Sequence, residues 1–209
     1  CIRDSIKSIA ITGSAGKTSL KELSGFVLSK IYPTIFSEKS FNNKYGVPLS
    51  LPDIDNTHKF GIFEVGMDRK GEINKLAKMI KPDVSVITNI SYAHIKNFKN
   101  INGIANAKSE IIDQTVNNGY VILNRDDKFY NLLFNKANRQ KKNIVTIGQH
   151  NKSNIRLINR KIIQRYVELN IKIFDQTKKF VVNDYLLPYL DNILFTIAIL
   201  NIFFDMSII

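Results

Sequence analysis

The run Gly13-Ser14-Ala15-Gly16-Lys17-Thr18 combines the residue types that hold a phosphate group. Glycines let backbone N–H groups curl around an anion, and a helix starting behind them adds the positive end of its dipole. Lys17 is suited to neutralise β- and γ-phosphate charge, and the Thr18 hydroxyl to bind Mg²⁺. The longer G-x-x-x-x-G-K-[ST] pattern is incomplete, because Ile11 or Thr12 stands where its first glycine belongs. What remains is G-x-x-G-K-T, which in isolation is also compatible with an ordinary glycine turn carrying an exposed lysine. Further along, Glu64 ends an apolar run beside Gly66, and Lys108 stands between Ala107 and Ser109. Asn42 and Asn43 can each donate and accept without carrying charge, which suits a site that orients an anion, although an Asn-Asn turn has the same composition. No Ser/His/Asp arrangement stands out.

A phosphate loop needs a strand before it and a helix behind it. Ser8–Thr12 is a short apolar run that stops at Gly13 and reads as a buried strand, and 17–31 reads as a helix. Leu20, Leu23, Val27, Leu28 and Ile31 form its expected apolar face. Strands are expected at 60–65, 84–88, 120–123 and 144–147, and helices at 71–80, 101–116 and 128–137. Lys81-Pro82 ends the helix before it. Such alternation predicts an α/β fold of the P-loop type, a mostly parallel sheet flanked by helices on both faces. From Ile155 to Val182 the pattern changes to short runs rich in Ile, Val, Tyr and Phe. With Asn159-Arg160 and Asp175-Gln176 as its expected turns, this stretch reads as a small antiparallel meander. A last helix is expected over 190–204. Glu64 then falls at the carboxyl edge of the sheet, where parallel sheets place ligands.

The 209 residues suit one large domain, or one domain with part of a neighbour. An apolar share of 44% argues against disorder. A single cysteine, Cys1, excludes a disulfide framework and a cysteine-rich zinc site, and points to a reducing cytoplasm. The net charge of +12 invites a nucleic-acid reading, but the lysines and arginines are spread along the chain. Their tightest clusters are pairs such as Lys141-Lys142 and Lys178-Lys179, so general surface charge that attracts anionic substrates is the better reading, with no nucleic-acid partner. The apolar run Ile193–Phe204 is too short to cross a bilayer and reads as a buried helix, so no membrane insertion is expected. Both ends look cut from something longer.

Several stretches, in order, resemble the Mur ligases, which build the peptide stem of bacterial peptidoglycan. They are Thr12–Ser19 with Lys21-Glu22, the stretch Ser40–Leu49, Phe63–Met67, Gly71–Ile73, Thr88–Ile90 with Ala93-His94, Ala107–Glu110 and Leu123–Asp127. The stretch Ser40-Phe41-Asn42-Asn43-Lys44-Tyr45-Gly46-Val47-Pro48-Leu49 is similar to the signature of the branch that joins D-alanyl-D-alanine to UDP-N-acetylmuramoyl-tripeptide. The resemblance implies a three-domain enzyme of which this chain, residues 1–209, is the central ATPase domain, with the N-terminal UDP-binding and C-terminal Rossmann-like domains absent from it. It implies a monomeric, cytoplasmic ligase that uses ATP and two Mg²⁺ ions and passes through an acyl phosphate. Gly13, Ser14, Ala15, Gly16, Lys17, Thr18, Ser19, Asn124 and Asn192 would bind ATP, and Asn42 and Asn43 the substrate. Thr18, Glu64, His94 and Lys108 would hold metal, the last as a carbamate formed with CO₂, and Lys17, Lys108 and His94 would serve catalysis. A plain lysine paired with Glu110 or with phosphate is the alternative for Lys108. The family usually carries Gly-x-His-Asn-x-x-Asn before the last helix. Here the segment is Leu186-Leu187-Pro188-Tyr189-Leu190-Asp191-Asn192, so only Asn192 survives and Tyr189 is a candidate to stack on the base. Competing readings are a folyl- or cyanophycin-type ligase, a P-loop regulatory ATPase without an amino-acid acceptor, and a binding or scaffold role.

Overall fold

The computed structural model describes residues 6–36, 54–92 and 95–204. The strands are β1 (Lys7–Thr12), β2 (Thr34–Phe36), β3 (Phe60–Glu64), β4 (Val84–Ile87), β5 (Tyr120–Asn124), β6 (Asn143–Gly148), β7 (Ile155–Ile163), β8 (Tyr166–Ile173) and β9 (Gln176–Asn183). The helices are α1 (Lys17–Ser29), α2 (Glu72–Ile80), α3 (Ile101–Lys108), α4 (Glu110–Gln114), α5 (Tyr130–Arg139) and α6 (Leu190–Phe204). A 3₁₀ turn over Asp184–Tyr189 leads into α6.

Alternation of side chains along each strand decides the layering. Ile9 and Ile11 of β1, Val84 and Val86 of β4, and Ile122 of β5 point to the face covered by α1 and α6. Ala10, Ile87, Val121 and Leu123 point to the opposite face, where Ile73, Leu76, Ile104, Ile111 and Leu133 of the other helices meet them. Both faces are therefore buried, as a parallel sheet requires. The strand order is β2-β3-β1-β4-β5-β6-β7-β8-β9. Pairing is parallel from β2 to β7 and antiparallel from β7 to β9.

The antiparallel meander is present and is continuous with the main sheet: Ile147 pairs with Ile155 and Gly148 with Arg156. Val167, Leu169, Ile171 and Ile173 of β8 pack into the same core as α6. Asn159-Arg160 is not a turn. It lies inside β7, next to a register shift between Leu157 and Asn159, where a bulge absorbs the extra residue. The chain reverses at Gln164-Arg165, with Gln164 at φ 55°, and again at Phe174-Asp175, with Phe174 at φ 50°.

Three other details differ from the sequence expectation. The short strand β2 extends the sheet beyond β3. The expected helix over 101–116 is two helices meeting at Ser109, whose hydroxyl donates to the Asn106 carbonyl at 2.7 Å and competes with the helical ladder. The buried face of α1 is Leu20, Lys21, Ser24, Gly25 and Leu28, while Ile31 lies beyond the helix end and is exposed. Small residues decide that face: Gly25 lies directly against the Phe36 ring, and Ser24 Oγ is 2.9 Å from Thr196 Oγ1 of α6. With the 3₁₀ turn, α6 forms a helical segment, Asp184–Phe204, long and apolar enough by composition to cross a membrane. Its residues Asn192–Ile199 are buried in the core instead.

Candidate nucleotide site

The loop after β1 is shaped by two glycines. Gly13 has φ +146°, and a Cβ there would sit 1.8 Å from Thr88 Oγ1, so only glycine lets β1 and the end of β4 approach this closely. Gly16 caps α1 in the left-handed conformation at φ 79° and, having no side chain, contributes no side-chain cap. The N-terminus of α1 turns the positive end of its dipole toward the loop, as an anion requires. The loop is braced from the segment after β4. Thr88 Oγ1 donates to the Ala15 carbonyl at 2.6 Å. The Asn89 carbonyl accepts from Ser14 N at 2.9 Å, and Asn89 Oδ1 accepts from Ala15 N at 3.0 Å. Ser14 Oγ accepts from Ser91 N at 2.8 Å. Asp127 ties the same segment to the end of β5, accepting from Ile90 N at 2.8 Å.

Two lysines converge on one carbonyl. Lys17 Nζ donates to Gly13 O at 3.0 Å, and Lys108 Nζ, at the end of α3, donates to the same oxygen at 2.7 Å. Lys108 is 1% exposed. Burial, reinforced by the nearby Lys17 ammonium, pushes its pKa down to about 7, so near neutrality a large fraction of the amine is unprotonated. Burial also lowers the Lys17 pKa, opposed by the Glu64 carboxylate. Glu110 is not the partner of Lys108. Its carboxylate accepts from Gly71 N at 2.9 Å and Asn74 N at 3.2 Å, capping the start of α2.

Glu64, 1% exposed at the carboxyl end of β3, accepts from Thr18 Oγ1 at 2.8 Å. A hydroxyl and a carboxylate side by side at the phosphate loop are hard oxygen donors of the kind Mg²⁺ takes, with water and phosphate oxygens supplying the rest. The residues present therefore fit that ion. Among the described residues no three His, Cys, Asp or Glu side chains gather as a metal cluster. His94, Asn42 and Asn43 lie outside the described residues.

A cleft of about 450 Å³ opens beside the loop. Ala15, Gly16 and Ser19 form one side, and Leu187, Tyr189, Asp191 and Asn192 much of the other. Asn192 is 6% exposed, and its side-chain oxygen stands 3.3 Å from where a Gly16 Cβ would be. Asn124, at the end of β5, reaches the cleft wall indirectly: its amide nitrogen donates to Asp191 Oδ2 at 3.2 Å. Sequence reasoning assigned no role to Thr88, Asn89 or Asp191. The Thr88-Asn89 pair directly after a buried strand is the signal that points to the first two; Asp191 had none beyond its place beside Asn192.

Known proteins share this fold. The model of the Mur ligase middle domain matches residues 11–198. The UDP-N-acetylmuramoyl-tripeptide--D-alanyl-D-alanine ligase of Rickettsia prowazekii is 36% identical over 180 residues, covering 84% of this chain and 40% of that protein. A MurF crystal structure from Acinetobacter baumannii superposes with a TM-score of 0.86 at 26% identity, covering 95% of this chain and 44% of the other. The fold of the Thermotoga maritima MurF ligase, solved in complex with ADP, matches with a TM-score of 0.84 at 24% identity, over 96% of this chain and 47% of that one. The chain thus spans less than half the length of these relatives. The glycine loop, the two lysines behind it and the sheet that carries them fall within the matched span, and the chain belongs to the Mur ligase middle-domain family.

Proposed function

We propose that this chain is the ATP-handling domain of a ligase that joins D-alanyl-D-alanine to UDP-N-acetylmuramoyl-tripeptide. The observation that carries the reading is the convergence of Lys17 and Lys108 on the Gly13 carbonyl, at the open N-terminus of α1 and beside the Thr18–Glu64 pair. ATP would lie with its phosphates on the loop 13–19 and its nucleoside in the cleft toward Asn192, Asn124 holding the cleft wall through Asp191. Phosphoryl transfer to the substrate carboxylate depends on positioning and on neutralising spreading negative charge. The loop amides and Lys17 supply both, and a nucleophilic side chain is not required. Thr18 and Glu64 would hold one Mg²⁺, which neutralises phosphate charge when bound. A second ion would draw on His94 and on Lys108.

Lys108 suits carbamylation because the reaction needs a neutral amine, and burial beside Lys17 supplies one near neutral pH. The step forms a bond between Nζ of the neutral amine and the carbon of CO₂ and releases one proton from that nitrogen, turning a neutral amine into an anionic oxygen donor. Asn42 and Asn43 would orient the tripeptide carboxylate. The amine of D-alanyl-D-alanine would then displace phosphate from the acyl phosphate. UDP-binding and Rossmann-like domains outside this chain would complete a monomeric, cytoplasmic enzyme that needs no nucleic acid and no membrane insertion.

The test incubates the natural protein carrying this chain with UDP-N-acetylmuramoyl-tripeptide, D-alanyl-D-alanine and Mg-ATP, and follows ADP release and product mass. Pentapeptide formed in step with ADP is expected. ADP release that ignores both acceptors would instead identify a non-ligase P-loop ATPase.

A further inference from the structure

The cleft wall at the start of α6 carries a carboxylate with one oxygen bonded within the protein. Asp191 Oδ2 accepts from Asn124 Nδ2 at 3.2 Å, and Asn124 is itself held, its Oδ1 accepting from Asp126 N at 2.9 Å. Asp191 Oδ1 has no partner among the described residues, and no lysine or arginine among them pairs with the carboxylate. The neighbouring Asp126 carboxylate is committed elsewhere, accepting from Gln149 N at 2.6 Å and His150 N at 3.0 Å. Asp191 lines the cleft with its side chain exposed, so its second carboxylate oxygen is open to a donor on a bound ligand. Partial desolvation, and after it the charge of Asp126, raise its pKa.

A triphosphate bound at neutral pH is anionic and offers no donors, so it would be repelled rather than held by this oxygen. The donor that fits must sit on the other end of the ligand. Tyr189, 44% exposed at the same wall, offers an aromatic face beside it, as a flat base would need.

We propose that Asp191 is a specificity-determining residue of the nucleotide site, accepting a hydrogen bond from an N–H or O–H group of the nucleoside. The inference rests on the nucleotide reading above and deepens it. Two groups share the required chemistry, the exocyclic amine of the base and the ribose hydroxyls, and substrate analogues separate them. An analogue that lacks the donor forfeits a hydrogen bond to a charged acceptor and so binds more weakly.

The experiment measures the dissociation constants of ATP, ITP, 2′-deoxy-ATP and 3′-deoxy-ATP by calorimetry, in the presence of Mg²⁺, for the wild type, Asp191→Ala and Asp191→Asn. An exposed charged acceptor predicts that the wild type binds one class of analogue about 3- to 10-fold more weakly than ATP. Loss of preference against ITP assigns the base amine, and loss against a deoxynucleotide assigns the ribose. In Asp191→Ala that ratio should fall to near 1, with nucleotide binding retained. Asp191→Asn keeps the shape and can turn its amide toward the ligand, so it should lower or reverse the same ratio and leave the others alone. Unchanged ratios in both variants, with ATP still bound, would overturn this inference and leave the nucleotide reading standing. Failure of the wild type to bind any of the four would overturn both.

Discussion

Lys108 makes the stability of the protein depend on pH in a way that a methionine in its place does not. Its ordinary pKa is 10.5, and in the fold it is about 7. Between these values the unfolded chain binds a proton that the folded chain does not, so stability rises with pH across that window. Below about pH 7 both states are protonated and the full cost of burying the ammonium is present. Working the two titrations through from about pH 6 to about pH 8.5 gives a gain of about 2 kcal/mol. Lys108→Met keeps the volume, removes the charge and forfeits the bond to Gly13 O. The assay is urea denaturation of both proteins at the two pH values, without added Mg²⁺ and with carbon dioxide removed. Taking the difference between the proteins at each pH cancels most of the other titrating groups. The advantage of the methionine variant should shrink by about 2 kcal/mol on going to the higher pH. A difference that stays constant to within about 0.5 kcal/mol would mean that the Lys108 amine is as easily protonated in the fold as in water, and the argument for its neutral form would fail.

Lys17→Ala should lower ATP turnover by at least about 100-fold while leaving the denaturation midpoint nearly unchanged, because the charge it removes acts on the transition state; turnover above a tenth of wild type would contradict its role. Gly13→Ala should cost about 3 kcal/mol or more, since the added Cβ collides with Thr88 Oγ1 and breaks the brace on Ala15, whereas Gly71→Ala, at φ +88° with open space around it, should cost about 1 kcal/mol. Equal losses in thermal unfolding would show that the close approach at Gly13 carries no weight. Lys108→Ala should cripple the ligase, and a small carboxylic acid added to the assay should restore part of the rate. A Lys108→Arg enzyme with normal rate would rule out the carbamate.

The parts of this site that were legible in the sequence are those made by neighbours along the chain. The phosphate loop, the strand before it and the helix behind it are one contiguous stretch, and the apolar strands announce themselves by their buried runs. The supports come from far away. Lys108 meets Gly13 across 95 positions, and Thr88 meets Ala15 across 73, so no local spacing reveals either contact. Asn159-Arg160 misled because asparagine is a common turn residue, while the real reversal uses Gln164 at positive φ, a conformation that composition does not advertise. The face of α1 misled because its packing is set by Gly25 against Phe36, a contact of absent bulk rather than of apolar side chains. Strand β2, three residues long, is below what a pattern can resolve.

The strand order has a consequence for how the chain is made. β1 is an inner strand, third from one edge of the sheet, and it pairs with β3 and β4, of which β4 ends only at Ile87. About 75 residues must follow β1 from the ribosome before its second neighbour exists, which at ordinary rates of synthesis takes about 4–15 s. Throughout that delay Ile9 and Ile11 belong to a strand with no ladder on at least one side. The antiparallel end behaves differently, because β7, β8 and β9 follow one another directly and can zip together as soon as they emerge. Within this domain the most vulnerable segment is therefore the strand that leads into the phosphate loop, and chaperone binding should concentrate there rather than on the antiparallel hairpins.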